Sequence, residues 1–263
     1  MKKTAALGMI AGLILAGLTT EAGAALTTIG EATYTRGTLS TNHNLIWDDN
    51  NNGNSVVWLD YTTNAAFTWS AMTKWATGLN AAGVLSYTLN TGYSVDWGTN
   101  AWRLPVSVDG NYTYSHLSGN TGRGYSNTTS ELGHLYYTEL GNNPYRNPDG
   151  TYNSQTGNYG LLNDGDFENL KSTPYWSGTV AANAPYYGLS AWYFETGSGL
   201  QYVGMMSDPK SAIALRAGQV SYNDPTTTPT PIPGAVVLFG SGLLGLVGLR
   251  RNKKHGCPLT LPL

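Results

Sequence analysis

Apolar side chains recur along the middle of the chain with two periods, and the two ends of the chain follow neither. From 67 to 80, Trp69, Met72, Trp75, Ala76 and Leu79 fall at helical spacing, with Thr68 placed to cap the first turn. A second helix is expected over 128–142. There Thr128, two residues, then Glu131 reads as a capping box, Leu132, Leu135, Tyr136 and Leu140 form the apolar stripe, and Gly141 and Asn142 stop it. Strand-like runs of β-branched and aromatic residues occur at 45–47, 56–61, 175–177, 191–195, 199–203 and 212–217. Several end in turn formers, such as 50–53 and 197–199, which suits antiparallel hairpins. The pattern predicts an α+β domain with two main helices, short antiparallel strands and long loops in its middle.

The ends are continuous apolar runs. Lys2 and Lys3 precede an apolar stretch over 5–18 that closes on Ala22, Gly23 and Ala24, so 1–24 reads as a secretory signal peptide cleaved after the Ala-x-Ala pattern of Ala22 and Ala24. The domain proper is expected over 25–225, followed at 226–233 by a Thr/Pro linker. The run 234–249 is uncharged and meets Arg250, Arg251, Lys253 and Lys254 in the tail 250–263. At 1.5 Å per residue the run spans about 24 Å, short of a hydrocarbon core of roughly 30 Å, and snorkelling basic side chains with slight bilayer thinning can close the gap. A transmembrane helix with a basic cytoplasmic end follows.

Charge changes once the ends are set aside. The whole chain carries a formal −2, but 25–230 holds eight Lys or Arg against fifteen Asp or Glu, a net of −7. That balance argues against a nucleic-acid or anionic-membrane partner for the domain and is compatible with carbohydrate or a cation. The single cysteine, Cys257, lies in the tail. The domain therefore has no internal disulfide, no paired-thiol redox chemistry and no Cys-rich zinc site, and it must fold on its own core.

Candidate chemistry is sparse. His43, His116 and His134 are the histidines of the domain, and no Gly-x-Ser-x-Gly elbow accompanies them. Asp164, Asp166 and Glu168 are close enough in sequence for paired-carboxylate glycoside chemistry, or for a solvated turn. Asp48, Asn50 and Asn52 before Gly53 match the first half of a calcium loop, but Leu59 stands where the loop wants Glu; the alternative is a tight Asn-rich hairpin turn. Trp58, Trp102, Trp176 and Trp192 read as core, while Tyr186 and Tyr187, in a loop after Pro185, are candidates for stacking on sugar rings. Arg103 and Arg216 are candidates for an ion pair or backbone hydrogen bonds.

Two resemblances add to this. Pro231, Ile232, Pro233 and Gly234, the Gly- and Leu-rich apolar run and the basic end at Arg250 and Arg251 resemble the PEP-CTERM sorting signal of Gram-negative bacteria, with Ile232 in place of the usual Glu and residues 255–263 extending past the basic cluster. That resemblance implies an exosortase-type sorting enzyme as a partner. Within 45–220, WLDY at 58–61, WRLP at 102–105, ELGHLYYTELGN at 131–142, GLLNDGDFENL at 160–170, YWSGT at 175–179, AWYFETGSGLQ at 191–201 and ALRAG at 214–218 follow in one order. Together they resemble the family that forms the C-terminal domain of the Legionella collagen-like adhesin. The resemblance implies a C-type-lectin-like fold, which suits an order of helices first and strands later. It also implies attachment to extracellular polysaccharide or a matrix component, and no catalytic residues. An oxidase of the formylglycine-generating type, which shares that fold grouping, needs cysteines that the domain lacks. The expectation is an exported, surface-associated, non-enzymatic binding or structural protein of the biofilm matrix that needs no cofactor, with calcium the one ion the sequence suggests; the alternative is an envelope glycan hydrolase.

Overall fold

The computed structural model describes residues 26–182, 184 and 189–226. The chain divides into two compact units, 1–221 and 222–263. Of the second, 222–226 is described, where the Asp224 carboxylate accepts from the Thr226 N–H at 2.8 Å and its hydroxyl at 2.7 Å. The signal segment with Ala22 and Ala24, the motif Pro231, Ile232, Pro233 and Gly234, the run 234–249 and the tail with Arg250, Arg251 and Cys257 lie outside the described residues. Among the described residues no helix is long and apolar enough to cross a membrane.

The first unit is mostly antiparallel sheet with two short helices. In chain order its elements are β1 (Leu26–Arg36), β2 (Leu39–Asn51), β3 (Asn54–Leu59), α1 (Trp69–Gly78), β4 (Leu85–Leu89), β5 (Tyr93–Asp96) and α2 (Glu131–His134), which runs into a π-helical turn, Leu135–Glu139. After a 3₁₀ turn at Asn153–Gln155 come β6 (Pro174–Val180), β7 (Ser190–Glu195), β8 (Leu200–Met205), β9 (Ala214–Ala217) and β10 (Gln219–Tyr222). The main sheet has the order β4-β1-β2-β3-β9, a second runs β6-β7-β8, and β5 pairs with β10.

Alternation along the central strands explains the layering. Ala32, Leu45, Val57 and Leu59 point to one face of the main sheet, where Met72 and Ala76 of α1 join them in one apolar cluster. Ile46, Val56 and Trp58 point to the other, against Leu132, Leu135, Tyr136 and Phe167. Trp58, Trp102, Trp176 and Trp192 are buried, as their placement in the strand and loop motifs predicts. Two glycines are needed by geometry. At Gly30 a Cβ would run into the Thr88 carbonyl of β4, and at the β2–β3 turn Asn52 and Gly53 both take positive φ, 51° and 82°. An Asn-Gly pair in that conformation is the turn that matches strand twist in a two-residue hairpin.

Helix α1 starts where the sequence places it, with the Thr68 hydroxyl accepting from Ala71 N–H. The second helix does not. Its cap is Ser130, whose hydroxyl accepts from Gly133 N–H at 3.1 Å, because Asn127 gathers Thr129 N–H at 2.9 Å and Ser130 N–H at 3.3 Å in a turn that precludes a cap at Thr128. Glu131 turns away from a capping box to hold Arg103 through two hydrogen bonds of 2.6 and 2.7 Å and Val106 N–H at 2.7 Å. Strands also precede α1, so the order is not helices first. β1, β4, β5 and β10 are additional to the six expected strands, all of which fall on or overlap strands.

One polar clasp ties the sheet to the loop before β6. Asp60, at the end of β3 and buried, accepts from Glu168 N–H and Asn169 N–H, both at 2.9 Å, and from the Asn169 side-chain amide at 3.2 Å. Beside it the Thr62 hydroxyl donates to Asn169 O at 2.6 Å, and the Tyr175 hydroxyl accepts from Lys171 N–H at 2.8 Å. Burial pushes the Asp60 carboxyl above its ordinary pKa even though these donors pull it down. Asp60→Asn removes the charge but turns an N–H₂ toward two N–H donors. The expected loss is about 2 kcal/mol in denaturant unfolding; an unchanged midpoint would show that the clasp does not hold the loop.

Candidate functional site

Where α1 runs out over the main sheet, the core face continues to the tip of the β1–β2 hairpin and opens. Register sets which side chains appear there. Ala32 pairs with His43, Tyr34 with Thr41 and Arg36 with Leu39, so Tyr34, Arg36, Leu39, Thr41 and His43 all stand on the face whose buried part carries Ala32 and Leu45. Tyr61, two residues beyond Leu59, extends the same face. Trp75 and Met72 of α1 form one wall; Asn169 and Lys171, held by the Asp60 clasp, form the other.

The result is a cleft of two adjoining hollows, about 330 and 280 Å³, that share Tyr34, Arg36, Tyr61 and Asn64. Its floor is aromatic. The Tyr34 and Tyr61 ring centroids are 5.3 Å apart, Tyr61 and Trp75 5.8 Å, and the His43 ring lies edge-on to Tyr61 at 4.8 Å. Phe67 stands half exposed at the far end.

The cleft's charges are unusual for so acidic a domain. No Asp or Glu is among the described residues that line it. Of the domain's eight cationic side chains, five are engaged: Arg103 by Glu131, Lys210 by Asp208, Arg123 and Arg146 over the Tyr202 and Tyr152 rings, and Arg216 by Asn100 O and the Trp97 ring. Arg36, Lys74 and Lys171 form no ion pair among the described residues, and two of these, Arg36 and Lys171, line the cleft. Two buried ring nitrogens of lining residues, Trp75 Nε1 and His43 Nδ1, also have no hydrogen-bond partner among the described residues. His43 Nε2 lies 2.7 Å from the Thr41 hydroxyl, and burial lowers the His43 pKa below its ordinary value against the pull of Asp60. Burial pushes the Tyr61 hydroxyl up, which keeps it a donor.

A second polar group lies inside the fold, not in the cleft. The π-helical turn brings His134 and Glu139 together, Nε2 to Oε1 at 3.0 Å, with the Glu139 side chain fully buried and its Oε2 unpartnered. A spacing of five residues meets on one side of a π turn and not of an α-helix, which is why the helical stripe gives no sign of this pair. Burial, with the Asp48 and Asp49 charges, pushes Glu139 up to about 7, and burial lowers His134.

Of the residues singled out in the sequence, His43 lines the cleft. Tyr186 and Tyr187 are outside the described residues. Asp48, Asn50 and Asn52 form the hairpin turn and its approach. Asp48 is buried and accepts from Asn51 Nδ2 at 2.8 Å and Trp58 Nε1 at 3.2 Å, the Asn50 side chain accepts from Gly53 N–H at 3.1 Å, and the Asn52 side-chain amide donates to Thr129 O at 3.5 Å, so the Asp48 and Asn50 oxygens serve different partners. Among the described residues no group of three or more His, Cys, Asp or Glu has the geometry of a metal site. Asp166 accepts from Thr28 N–H and hydroxyl at 2.9 and 3.0 Å, and Asp60 takes the Glu168 N–H, so that loop is a structural fastening. Tyr34, Arg36, Tyr61 and Lys171 escape sequence reasoning. The alternation Ala32, Tyr34, Arg36 against Leu39, Thr41, His43 across Gly37 and Thr38 is the signal that marks them.

Comparisons of the chain with protein-family models, with curated proteins and with solved structures gave no match.

The buried Glu139 makes a pH test. Its folded pKa, about 7, exceeds its ordinary 4.5, so the stability it contributes is complete below 4.5 and is lost as pH rises through 7. Glu139→Gln mimics the protonated form. Thermal melts are expected to match the parent at pH 4.5 and to exceed it at pH 7.5; a difference that does not vary with pH would refute the assignment.

Proposed function

We propose that the protein is an exported, surface-associated module that binds a saccharide segment of extracellular polysaccharide and does not turn it over. The observation that carries this reading is the aromatic floor of Tyr34, Tyr61 and Trp75 in an open cleft. Sugar rings present apolar C–H faces and polar edges, and Tyr and Trp rings flanked by Asn and Thr side chains meet both demands. Glycoside cleavage would need a pair of carboxylates beside the bound ring. The described lining has none, which favours binding over the hydrolase alternative. Calcium has no part in this reading, since the Asp48 and Asn50 side-chain oxygens accept hydrogen bonds within the hairpin.

The domain's antiparallel sheets with two short helices agree with a C-type-lectin-like architecture, the finer fold we adopt with this reading. The sequences of the two ends support the remainder: export by the segment closing on Ala22 and Ala24, and tethering at the Gram-negative cell surface through the apolar run after Pro231, Ile232, Pro233 and Gly234, handled by an exosortase-type enzyme.

Calorimetric titration of the purified protein with soluble polysaccharides, alongside a reducing-end assay, tests the function. Saturable binding without new reducing ends is expected, and Tyr34→Ala or Trp75→Ala should weaken it about tenfold at an unchanged far-UV spectrum, the loss of one ring-stacking contact. Release of reducing ends that depends on the protein would sink the module reading.

A further inference from the structure

We infer that the cleft selects saccharides bearing oxyanions, carboxylates or sulfate esters, over neutral ones. The inference rests on the saccharide-binding reading and adds the ligand's charge to it.

Arg36 lines both hollows and Lys171 the second, and neither has a carboxylate partner among the described residues. Six of the eight cations of 25–230 have no ion pair among the described residues; three of the six lie over aromatic rings, and of the three that do not, Arg36 and Lys171 belong to the walls of one cleft. The lining has no carboxylate to serve them, although acidic residues outnumber basic ones almost two to one across 25–230. The counter-charge that Arg36 and Lys171 lack is what a ligand oxyanion supplies. A planar guanidinium takes carboxylate or sulfate oxygens in a bidentate fork, and the Lys171 ammonium adds a point charge.

Position reinforces the point. Arg36 is the last residue of β1, fixed on the cleft face by its pairing with Leu39, and Lys171 is anchored through its backbone N–H on the Tyr175 hydroxyl at 2.8 Å. Both backbones are set by the fold, so less ordering remains for the ligand to impose. Lys74, the third cation with neither an ion pair nor a ring partner among the described residues, is on α1 outside the lining and serves as a control for net charge.

The test compares binding of alginate with that of its carboxyl-reduced, neutral form, and of dextran sulfate with that of dextran, by calorimetry on the purified protein at low and at high sodium chloride. The parent is expected to bind at least one charged polymer about tenfold more tightly than its neutral counterpart at low salt, with the advantage shrinking at high salt as screening sets in. Whichever charged polymer is preferred identifies the oxyanion. Arg36→Gln with Lys171→Gln should abolish the preference at an unchanged melting temperature, and Lys74→Gln should change neither. Equal affinity for charged and neutral polymers, with binding still lost in Trp75→Ala, would overturn the inference and leave the saccharide reading standing. A loss in Lys74→Gln equal to that in the double variant would also overturn it, by showing a general charge effect. Absence of binding to all four polymers would remove both the reading and the inference.

Discussion

The structure depends on the buried carboxylate of Asp60. A charge held out of water at the end of a core strand is costly unless donors surround it, and this one is met by two backbone N–H groups and an amide from a single loop. That fixes the loop before β6 against the edge of the main sheet core. Thr62, Tyr175 and Lys171 extend the same fastening, so one polar network sets both the packing of Phe167 into the second apolar cluster and the far wall of the cleft. Stability and site geometry share a cause here.

The same network accounts for why certain sequence segments look distinctive. WLDY supplies Trp58 to one face of the sheet, Asp60 to the clasp and Tyr61 to the cleft; the segment 160–170 supplies the N–H donors; YWSGT supplies Tyr175. WRLP and ELGHLYYTELGN meet in the Arg103–Glu131 pair. These segments are joints of the fold, and Tyr61 and Asn169 among their residues also line the cleft.

The legible parts of the fold were those governed by local rules. The apolar stripe and hydroxyl cap of α1, the Asn-Gly turn and the buried tryptophans all express periodicity and turn chemistry within a few residues. The illegible parts depend on contacts distant in sequence. β1 is polar at most positions and becomes a strand because β2 and β4 flank it; Glu131 leaves its expected capping role because Arg103 arrives from 28 residues upstream. The cleft was hidden for the same reason. Its aromatic and cationic residues come from β1, β2, the end of β3, α1 and the loop before β6, and no one segment looks like a binding motif. Trp75 in particular reads as a core position of α1, yet it is half-buried and lines the cleft.

The central claim, that saccharide binds across Tyr34, Tyr61 and Trp75, is tested most directly by the indole N–H signals of the eight tryptophans in a ¹H–¹⁵N spectrum of the protein during titration with an alginate oligosaccharide. Trp75 Nε1, which has no acceptor among the described residues, is expected to shift on binding, while Trp58, Trp102 and Trp192, whose indoles already have protein partners outside the cleft lining, stay in place. A titration that saturates with Trp75 unmoved would contradict the account.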